Sequence, residues 1–396
     1  MEPQNVSPAK QSNLSAPRKP RPISFPKAED WLARRLAKAG VYLNSSNPWD
    51  PQIHNPQFYR RALWEGSLGV GESYIDGWWD CEQLDEMLAR ILRAQVDKHI
   101  INNWALLRLW LKTKLFNLQS VRRAYQVGKK HYDIGNDLFQ AMLDPTMSYS
   151  CGYWHNTRDL YEAQLAKLDL VCRKLALKAG ESVLDIGCGW GSFAEYAARH
   201  HGVRVTGITI SREQKKLAEQ RCAGLPVDIE MMDYRSLEGK FDKLVSIGMF
   251  EHVGPKNYDI YMRTAHRLMQ DDGQFLLHTI SNEVSQVGTD PWIQKYIFPN
   301  GNLPSLTQLS KACEPYFIIE DVQNLGLDYD RTLMAWYHNF DQAWPHLKPS
   351  YDHRFYRMWT YYLKTCAGAF RSRTLQVYQL VLRKRLATLQ RYHAPR

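Results

Sequence analysis

Val183-Leu184-Asp185-Ile186-Gly187-Cys188-Gly189-Trp190-Gly191 decides the fold of this chain. Residues with strand character run into a loop with glycine at every second position, and a helix-forming segment, Ser192 to His201, follows at once. Glycines at that spacing let the backbone pass within contact distance of a ligand and aim amide N–H groups at it. The pattern is G-x-G-x-G, which departs from the G-x-G-x-x-G of dinucleotide binders. A glycine-rich turn in an ordinary strand–helix connection is the competing explanation for these glycines alone. The neighbouring segments weigh against it.

Downstream the chain alternates strand and helix patterns, the mark of a parallel sheet covered on both faces. Strands are expected over Val183–Ile186, Val203–Ile208, Val227–Met232, Phe241–Gly248 and Gln274–Ile280, with helices such as Arg212–Cys222 and Asn257–Met269 between them. Ligands of such sheets sit beyond the carboxyl ends of the strands, and chemistry-bearing residues cluster there. The second strand ends in Gly207 to Gln214 with no acid for a ribose; Thr209, Ser211 and Gln214 are its polar candidates. The third ends in Asp233-Tyr234-Arg235, an acid beside a ring able to hold and stack an adenine. The fourth ends in Gly-Met-Phe-Glu-His-Val-Gly-Pro-Lys-Asn-Tyr, Gly248 to Tyr258, and the fifth in Leu277-His278-Thr279-Ile280.

Composition sets the outer limits. With 396 residues the chain holds one large domain or two ordinary ones, and 44% hydrophobic residues support a sizeable core. Seven cysteines lie apart with no C-x-x-C pair, which argues against a zinc site or a disulfide framework and fits a reducing compartment. No apolar run reaches the ~20 residues of a membrane-spanning helix, and Met1 to Lys27 reads as a disordered basic tail without a signal-peptide core. A helical pattern starts at Glu29. Gly66 to Trp79 is too rich in glycine and aromatic residues for a helix, whereas Ile100 to Leu118 reads as an amphipathic one. These readings divide the chain into the tail (1–27), an N-terminal domain (28–120) and a catalytic domain (121–396).

The form D-x-G-x-G-x-G after a strand is the signature of methyltransferases that use S-adenosylmethionine (SAM). Further motifs upstream are His-Tyr-Asp-Ile-Gly-Asn-Asp-Leu-Phe (131–139) and Met-Ser-Tyr-Ser-Cys-Gly-Tyr-Trp (147–154). Together these resemble the cyclopropane-fatty-acyl-phospholipid synthases and, more distantly, the mycolic acid cyclopropane synthases. The resemblance runs from about residue 29 to the end of the chain. It implies an α/β fold: a Rossmann-like SAM-dependent methyltransferase sheet with a smaller, mainly helical N-terminal domain.

The resemblance also implies a reaction. The SAM methyl is transferred to a cis double bond of a phospholipid acyl chain, and loss of a proton from the added carbon closes a cyclopropane. A bound bicarbonate serves as base in this family; by motif position its holders are Glu251, His278, Tyr329 and the Cys151 backbone, with Ile280 alongside, and Cys366 stands where an active-site thiol has been placed. SAM contacts carried over by motif are Tyr149, Ser150, Val183, Leu184, Asp185, Ile186, Gly187, Cys188, Gly189, Trp190, Gly191, Thr209, Ile210, Ser211, Gln214, Tyr234 and Arg235. Asp233 joins them on chemistry alone. Each catalytic candidate keeps an alternative: Glu251 and His252 as a helix cap, His278 as a structural histidine, Tyr329 as a loop tyrosine and Cys366 as a buried, inert thiol. Cys151 invites a nucleophile reading for which no general base is assigned, so its backbone is expected to matter more than its thiol.

A formal charge of +10 fits a nucleic acid, an anionic membrane or an acidic substrate equally well. The motifs favour a bilayer surface. Arg108, Lys112, Lys114, Arg122, Arg123, Lys129 and Lys130, with Arg383, Lys384 and Arg385, are candidates for docking on anionic headgroups. The expectation is a cytoplasmic protein, peripheral on the inner membrane face, whose N-terminal domain serves lipid contact or homodimerisation. The Pro-Cys and Asp-Pro-Pro-Tyr motifs of nucleic-acid methylation are absent, so no nucleic-acid partner is expected. Alkene methylation without ring closure, and a scaffold that kept the fold without turnover, are the competing functions.

Overall fold

The computed structural model describes residues 25–96, 135–286, 288–385, 387 and 391–396. The expected helix over Ile100 to Leu118, the boundary near residue 120 and the basic residues from Arg108 to Lys130 lie outside the described residues.

Seven strands form one sheet: β1 (Ser182–Ile186), β2 (Arg204–Thr209), β3 (Val227–Met231), β4 (Phe241–Ile247), β5 (Met269–Asn282), β6 (Phe317–Asn324) and β7 (Leu375–Lys384). Their order is β3-β2-β1-β4-β5-β7-β6. The first five run parallel, whereas β7 is antiparallel to both β5 and β6, so the sheet is mixed. Central strands bury both faces, which is why they read as unbroken apolar runs. Val183, Val245, Leu276 and Val381 face one core with Leu168, Val171 and Phe193, while Leu184, Leu244, Phe275 and Leu380 face the other with Tyr261, Met262 and Leu309. One residue along each strand changes sides.

The described helices are α1 (Phe25–Leu36), α2 (Gln57–Glu65), α3 (Ser67–Ile75), α4 (Leu84–Arg93), α5 (Asn136–Met142), α6 (Leu160–Lys174), α7 (Ser192–His201), α8 (Arg212–Arg221), α9 (Tyr258–Leu268), α10 (Pro291–Tyr296), α11 (Leu306–Cys313), α12 (Gly326–Leu347) and α13 (His353–Arg371). Local chemistry sets several starts. Asp159 caps α6 by accepting from Glu162 N at 3.0 Å, and Ser305 with Gln308 forms a capping box on α11. Helices α1 to α4, with a short two-stranded ribbon (Gln52–Ile53 with Trp79–Asp80), form a mainly helical N-terminal unit. Its core is continuous with that of the sheet's carboxyl end: Phe58 and Trp79 share one apolar cluster with Trp292, Trp336, Trp359 and Tyr361.

One sequence expectation fails here. Gly66–Trp79 contains the helix α3. Gly69 and Gly71 lower its intrinsic helicity but allow close approach of neighbours: a Cβ on Gly69 would fall 2.7 Å from Glu65 Cβ, and one on Gly71 would fall 2.6 Å from Trp292 Nε1. Tertiary packing outweighs propensity at both positions.

Candidate active site

A cavity of about 210 Å³ opens at the carboxyl ends of β1, β2 and β4, beneath the loop that follows β1. Gly187, Gly189 and Gly191 all adopt positive φ, at 84°, 55° and 82°. L-residues with a side chain reach that region only at a cost. The loop is tied to β2, because Gly187 N and Cys188 N both donate to the Ile208 carbonyl at 3.0 Å. Of the residues assigned to SAM, Tyr149, Ser150, Asp185, Ile186, Gly187, Cys188, Gly189, Trp190, Thr209, Ile210, Gln214, Asp233, Tyr234 and Arg235 line this cavity.

Four others do not line it. Val183 and Leu184 are wholly buried inside β1, one in each core, so they carry the loop without reaching its ligand side. Gly191 starts α7 with little room for a Cβ, which would come 3.1 Å from Ala218 Cβ. Ser211 caps α8, its Oγ accepting from Gln214 N at 3.3 Å. Ser211 therefore acts by placing Gln214.

Polar groups around the cavity are fixed in advance. Thr209 Oγ1 donates to Gln214 Oε1 at 2.9 Å, leaving the amide NH₂ to donate elsewhere. Arg235 grips Asp233 in a two-point fork at 2.7 and 2.6 Å. Tyr234 packs edge-on against Tyr261 at 5.1 Å, and burial pushes its phenol up to about 12. Burial also pushes the Asp185 carboxyl up to about 7, although nearby Lys167 opposes the shift.

Beyond the cavity lies the second group of candidates. Glu251 sits in a short turn after β4; it does not cap α9, as the alternative required. Its Oε1 accepts the Ile280 backbone N–H at 2.6 Å, and Oε2 is buried with no hydrogen-bond partner. Desolvation raises this carboxyl to about 7. His278 lies two residues before Ile280 on β5, 2% exposed. Its Nδ1 faces Gln379 Nε2 on β7 at 3.2 Å, while Nε2 is buried and unpartnered. Burial, then the charges of Lys167 and Lys174, pulls the imidazole down to about 3, so it is neutral.

Tyr329 occupies the first turn of α12. Its N–H donates to the Leu325 carbonyl at 3.2 Å, and the Cys151 thiol approaches that same carbonyl at 3.5 Å. The buried phenol is held well above its usual range by desolvation and feels Tyr149, Cys151, Glu251 and Cys366. Cys151 is likewise pushed far up by burial, and Cys366 on α13 to about 12, so neither is a ready thiolate. Aromatic rings wall this region: Tyr329 meets Trp336 at 5.8 Å and Phe370 at 4.7 Å, Tyr149 lies 5.1 Å from Trp336, and the Tyr149 and Tyr362 hydroxyls are 2.8 Å apart.

Sequence reasoning missed several residues here. Lys167 lines the cavity from α6, at helical spacing from Leu160, Ala163 and Gln164 on the buried face. A lysine in the apolar stripe of a helix is the signal that would have found it. Gln379, which orients His278, carried no such signal, because its pairing depends on the antiparallel register of β7. His252 lines the cavity, and its imidazole falls to about 4 through burial.

Comparisons with known proteins bear on the family and the fold. The family described as mycolic acid cyclopropane synthetase matches residues 119–380. The cyclopropane-fatty-acyl-phospholipid synthase of Escherichia coli K12 is 53% identical over 346 residues, covering 87% of this chain and 91% of that protein. A probable fatty acid methyltransferase of Pseudomonas putida is 39% identical over 63% of this chain and 67% of its own length. Among solved structures, the cyclopropane synthase MmaA2 of Mycobacterium tuberculosis superposes with a TM-score of 0.62 at 30% identity, covering 66% of this chain and 98% of that one. The mycolic acid cyclopropane synthase CmaA1, solved with S-adenosylhomocysteine (SAH) and CTAB, gives 0.62 at 33% identity over the same shares. A glycine loop at the carboxyl end of a seven-stranded sheet and this degree of identity lead to one assignment: the chain belongs to the mycolic acid cyclopropane synthetase family and is a SAM-dependent methyltransferase.

Proposed function

We propose that this chain transfers the methyl group of SAM to the cis double bond of an unsaturated phospholipid acyl chain and closes it to a cyclopropane. The π bond attacks the methyl carbon and the sulfur–carbon bond breaks, releasing SAH and leaving a carbocation on the chain. Loss of a proton from the added carbon supplies the electron pair that closes the ring. An alkene is a weak nucleophile, so positioning and exclusion of water are what this chain must provide. The faces of Tyr149, Tyr329 and Trp336 suit a cation that an exposed carboxylate would trap as an ester.

The observation that carries the reading is a pair of buried, unpartnered polar atoms, Glu251 Oε2 and His278 Nε2. Orphaned buried groups are costly unless a ligand completes them. Bicarbonate fits this donor set. As oriented, the Gln379 amide donates to His278 Nδ1, which leaves the ring proton on Nε2 to donate. Tyr329 offers a second donor, and Glu251, fixed by Ile280 N–H, accepts from an acid O–H. When bound, bicarbonate would supply a base of low nucleophilicity. Tyr149, Ser150, Asp185 to Trp190, Thr209, Ile210, Gln214 and Asp233 to Arg235 would hold SAM, with Val183, Leu184, Gly191 and Ser211 supporting them. A catalytic part for the Cys366 thiol has no support in its surroundings.

Access to the bilayer is peripheral in this reading, as no helix of the described residues is long and apolar enough to cross a membrane. The Arg383–Arg385 cluster does not fit headgroup docking. Arg383 pairs in register with Gln274, at the end of β5 remote from His278, Lys384 is tied to Asp271 at 3.0 Å, and Arg385 donates to the Glu314 carbonyl. Lipid contact or dimerisation through the N-terminal domain, and a site on the inner membrane face, remain part of the proposal.

The test is incubation of the purified protein with SAM and vesicles of cis-unsaturated phospholipid, with proton NMR of the recovered acyl chains. High-field cyclopropane protons support ring closure. A methyl-branched alkene would retain the SAM and lipid sites and discard the ring-closing base. No modified lipid despite SAM binding would favour another acceptor or a scaffold.

A further inference from the structure

Lys167 enters the cavity wall beside Ser150 and Asp185 and is only 2% exposed. Its ammonium donates to Ser150 Oγ at 3.0 Å. An ammonium has three donors, and among the described residues no carboxylate comes within ion-pair distance of this one. Asp144 and Asp185 act on it only through their charge. Asp144 is spent on its own turn, accepting from Thr146 N at 2.9 Å and Ser148 N at 3.3 Å. Asp185, at the end of β1, lines the cavity itself. Burial draws the lysine down to about 8, which leaves it charged at neutral pH.

A desolvated lysine whose protein partner is a neutral hydroxyl has donors to offer a ligand, and the complement of a buried ammonium is a carboxylate. The wall also presents Asp185, so it offers a cationic group and a carboxyl group side by side. The amino-acid end of SAM is a zwitterion with one of each. We propose that Lys167 is the binding residue for the methionyl carboxylate of SAM. This rests on the cavity being the SAM site. Ser150 then has two tasks: it contacts the cofactor by motif and holds the lysine head in place.

The alternative is structural: Lys167 neutralises buried acids and touches no ligand. The two are separated by a ligand that lacks the carboxylate. Calorimetric titration of the full chain with SAH and with decarboxylated SAH gives a discrimination ratio for each protein. Wild type is expected to favour SAH by about 10- to 100-fold, the range of a charge-assisted hydrogen bond. Lys167→Met should lose that factor for SAH and bind the decarboxylated ligand within about threefold of wild type, so that the ratio collapses. Lys167→Gln keeps a donor for Ser150 and removes the charge; it reads the same ratio where the methionine variant does not fold. Equal weakening towards both ligands, or no discrimination by wild type, overturns the proposal. Failure of wild type to bind either ligand is a different result, and removes the SAM assignment of the cavity with it.

Discussion

Glu251 and Ile280 are joined by a 2.6 Å hydrogen bond from the Ile280 backbone N–H to Glu251 Oε1, so the turn after β4 is fastened to the end of β5. The bond fixes one carboxylate oxygen and leaves the other, buried Oε2, without a partner. Burial of the carboxyl favours the protonated form, and this bond opposes that shift without cancelling it.

Ionisation of Glu251 should therefore be visible in turnover. Burial raises its pKa to about 7, and the proposed role requires the carboxylate, so kcat should rise with pH through about 7 and then level off. Glu251→Gln should lose about 100-fold or more in kcat, lose the acid limb, and keep SAM affinity within about threefold, because Glu251 is outside the cavity lining. Methyl transfer from labelled SAM between about pH 5.5 and 8.5 measures this. An unchanged acid limb in the residual activity of the variant would assign it to another group, of which Asp185 is the nearest in pKa.

His278 makes the opposite contribution to stability. Its folded pKa of about 3 lies below the ordinary 6.5; the stability it contributes is present above the unfolded value and is lost as pH falls below it. For the same reason Glu251, raised from 4.5 to about 7, contributes stability that is lost as pH rises through that window. Each pH unit of such a shift corresponds to ~1.4 kcal/mol. His278→Asn should therefore narrow its stability deficit relative to wild type by about that much per unit between pH 6.5 and 5. Urea unfolding of both proteins at the two ends of that range tests it; a constant difference would mean that His278 is charged in the folded state.

The parts legible in sequence were those with a local signature. The β1 loop, the strand ends and the motif-borne residues needed only neighbours along the chain to be recognised. Helix α3 escaped because Gly69 and Gly71 are set by what packs on them, Trp292 in the second case, more than two hundred residues away. Lys167 and Gln379 escaped for a related reason. One sits among apolar residues of α6, and the other faces His278 only through the antiparallel pairing of β5 with β7. Ser211, expected from its motif at the ligand, caps α8 and places Gln214, which lines the cavity; that role too depends on local geometry the motif does not spell out.

Gly189 separates a ligand clash from a folding defect. A Cβ there meets no protein atom within 4 Å, although φ is 55°. Gly189→Ala should cost about 1–2 kcal/mol of stability from the left-handed backbone alone. It should lower SAM affinity by more than that strain explains, because the added methyl projects from the loop that covers the cavity. Thermal unfolding paired with SAH titration checks both halves. A variant that binds SAH normally would show that the loop does not approach the cofactor.

The two thiols near the site should be dispensable. Burial holds Cys151 well above its usual range and Cys366 at about 12, so neither ionises at neutral pH. Cys366→Ala and Cys151→Ala should each retain turnover within about threefold, apart from any loss that tracks a lowered melting temperature from the small cavity created. A hundredfold loss in a normally folded Cys366→Ala protein would restore the thiol to the mechanism.

Gly71 tests whether the N-terminal unit is keyed to α10. Alanine there would gain about 1 kcal/mol of helix propensity in α3. Against this, its methyl would fall 2.6 Å from Trp292 Nε1 and 2.9 Å from Cγ of the same ring, in a wholly buried contact. Overpacking of that kind costs about 1–3 kcal/mol. Trp292 belongs to α10, whose neighbours Lys295 and Tyr296 both bond to Glu72 of α3, so the ring cannot retreat without breaking a charged contact. The clash should win, giving a net loss of about 1–2 kcal/mol, and Trp292→Leu should recover part of it in the double variant. Thermal unfolding of the two single variants and the double closes the cycle; additive losses would mean that the notch at Gly71 and the Trp292 ring are not a matched pair.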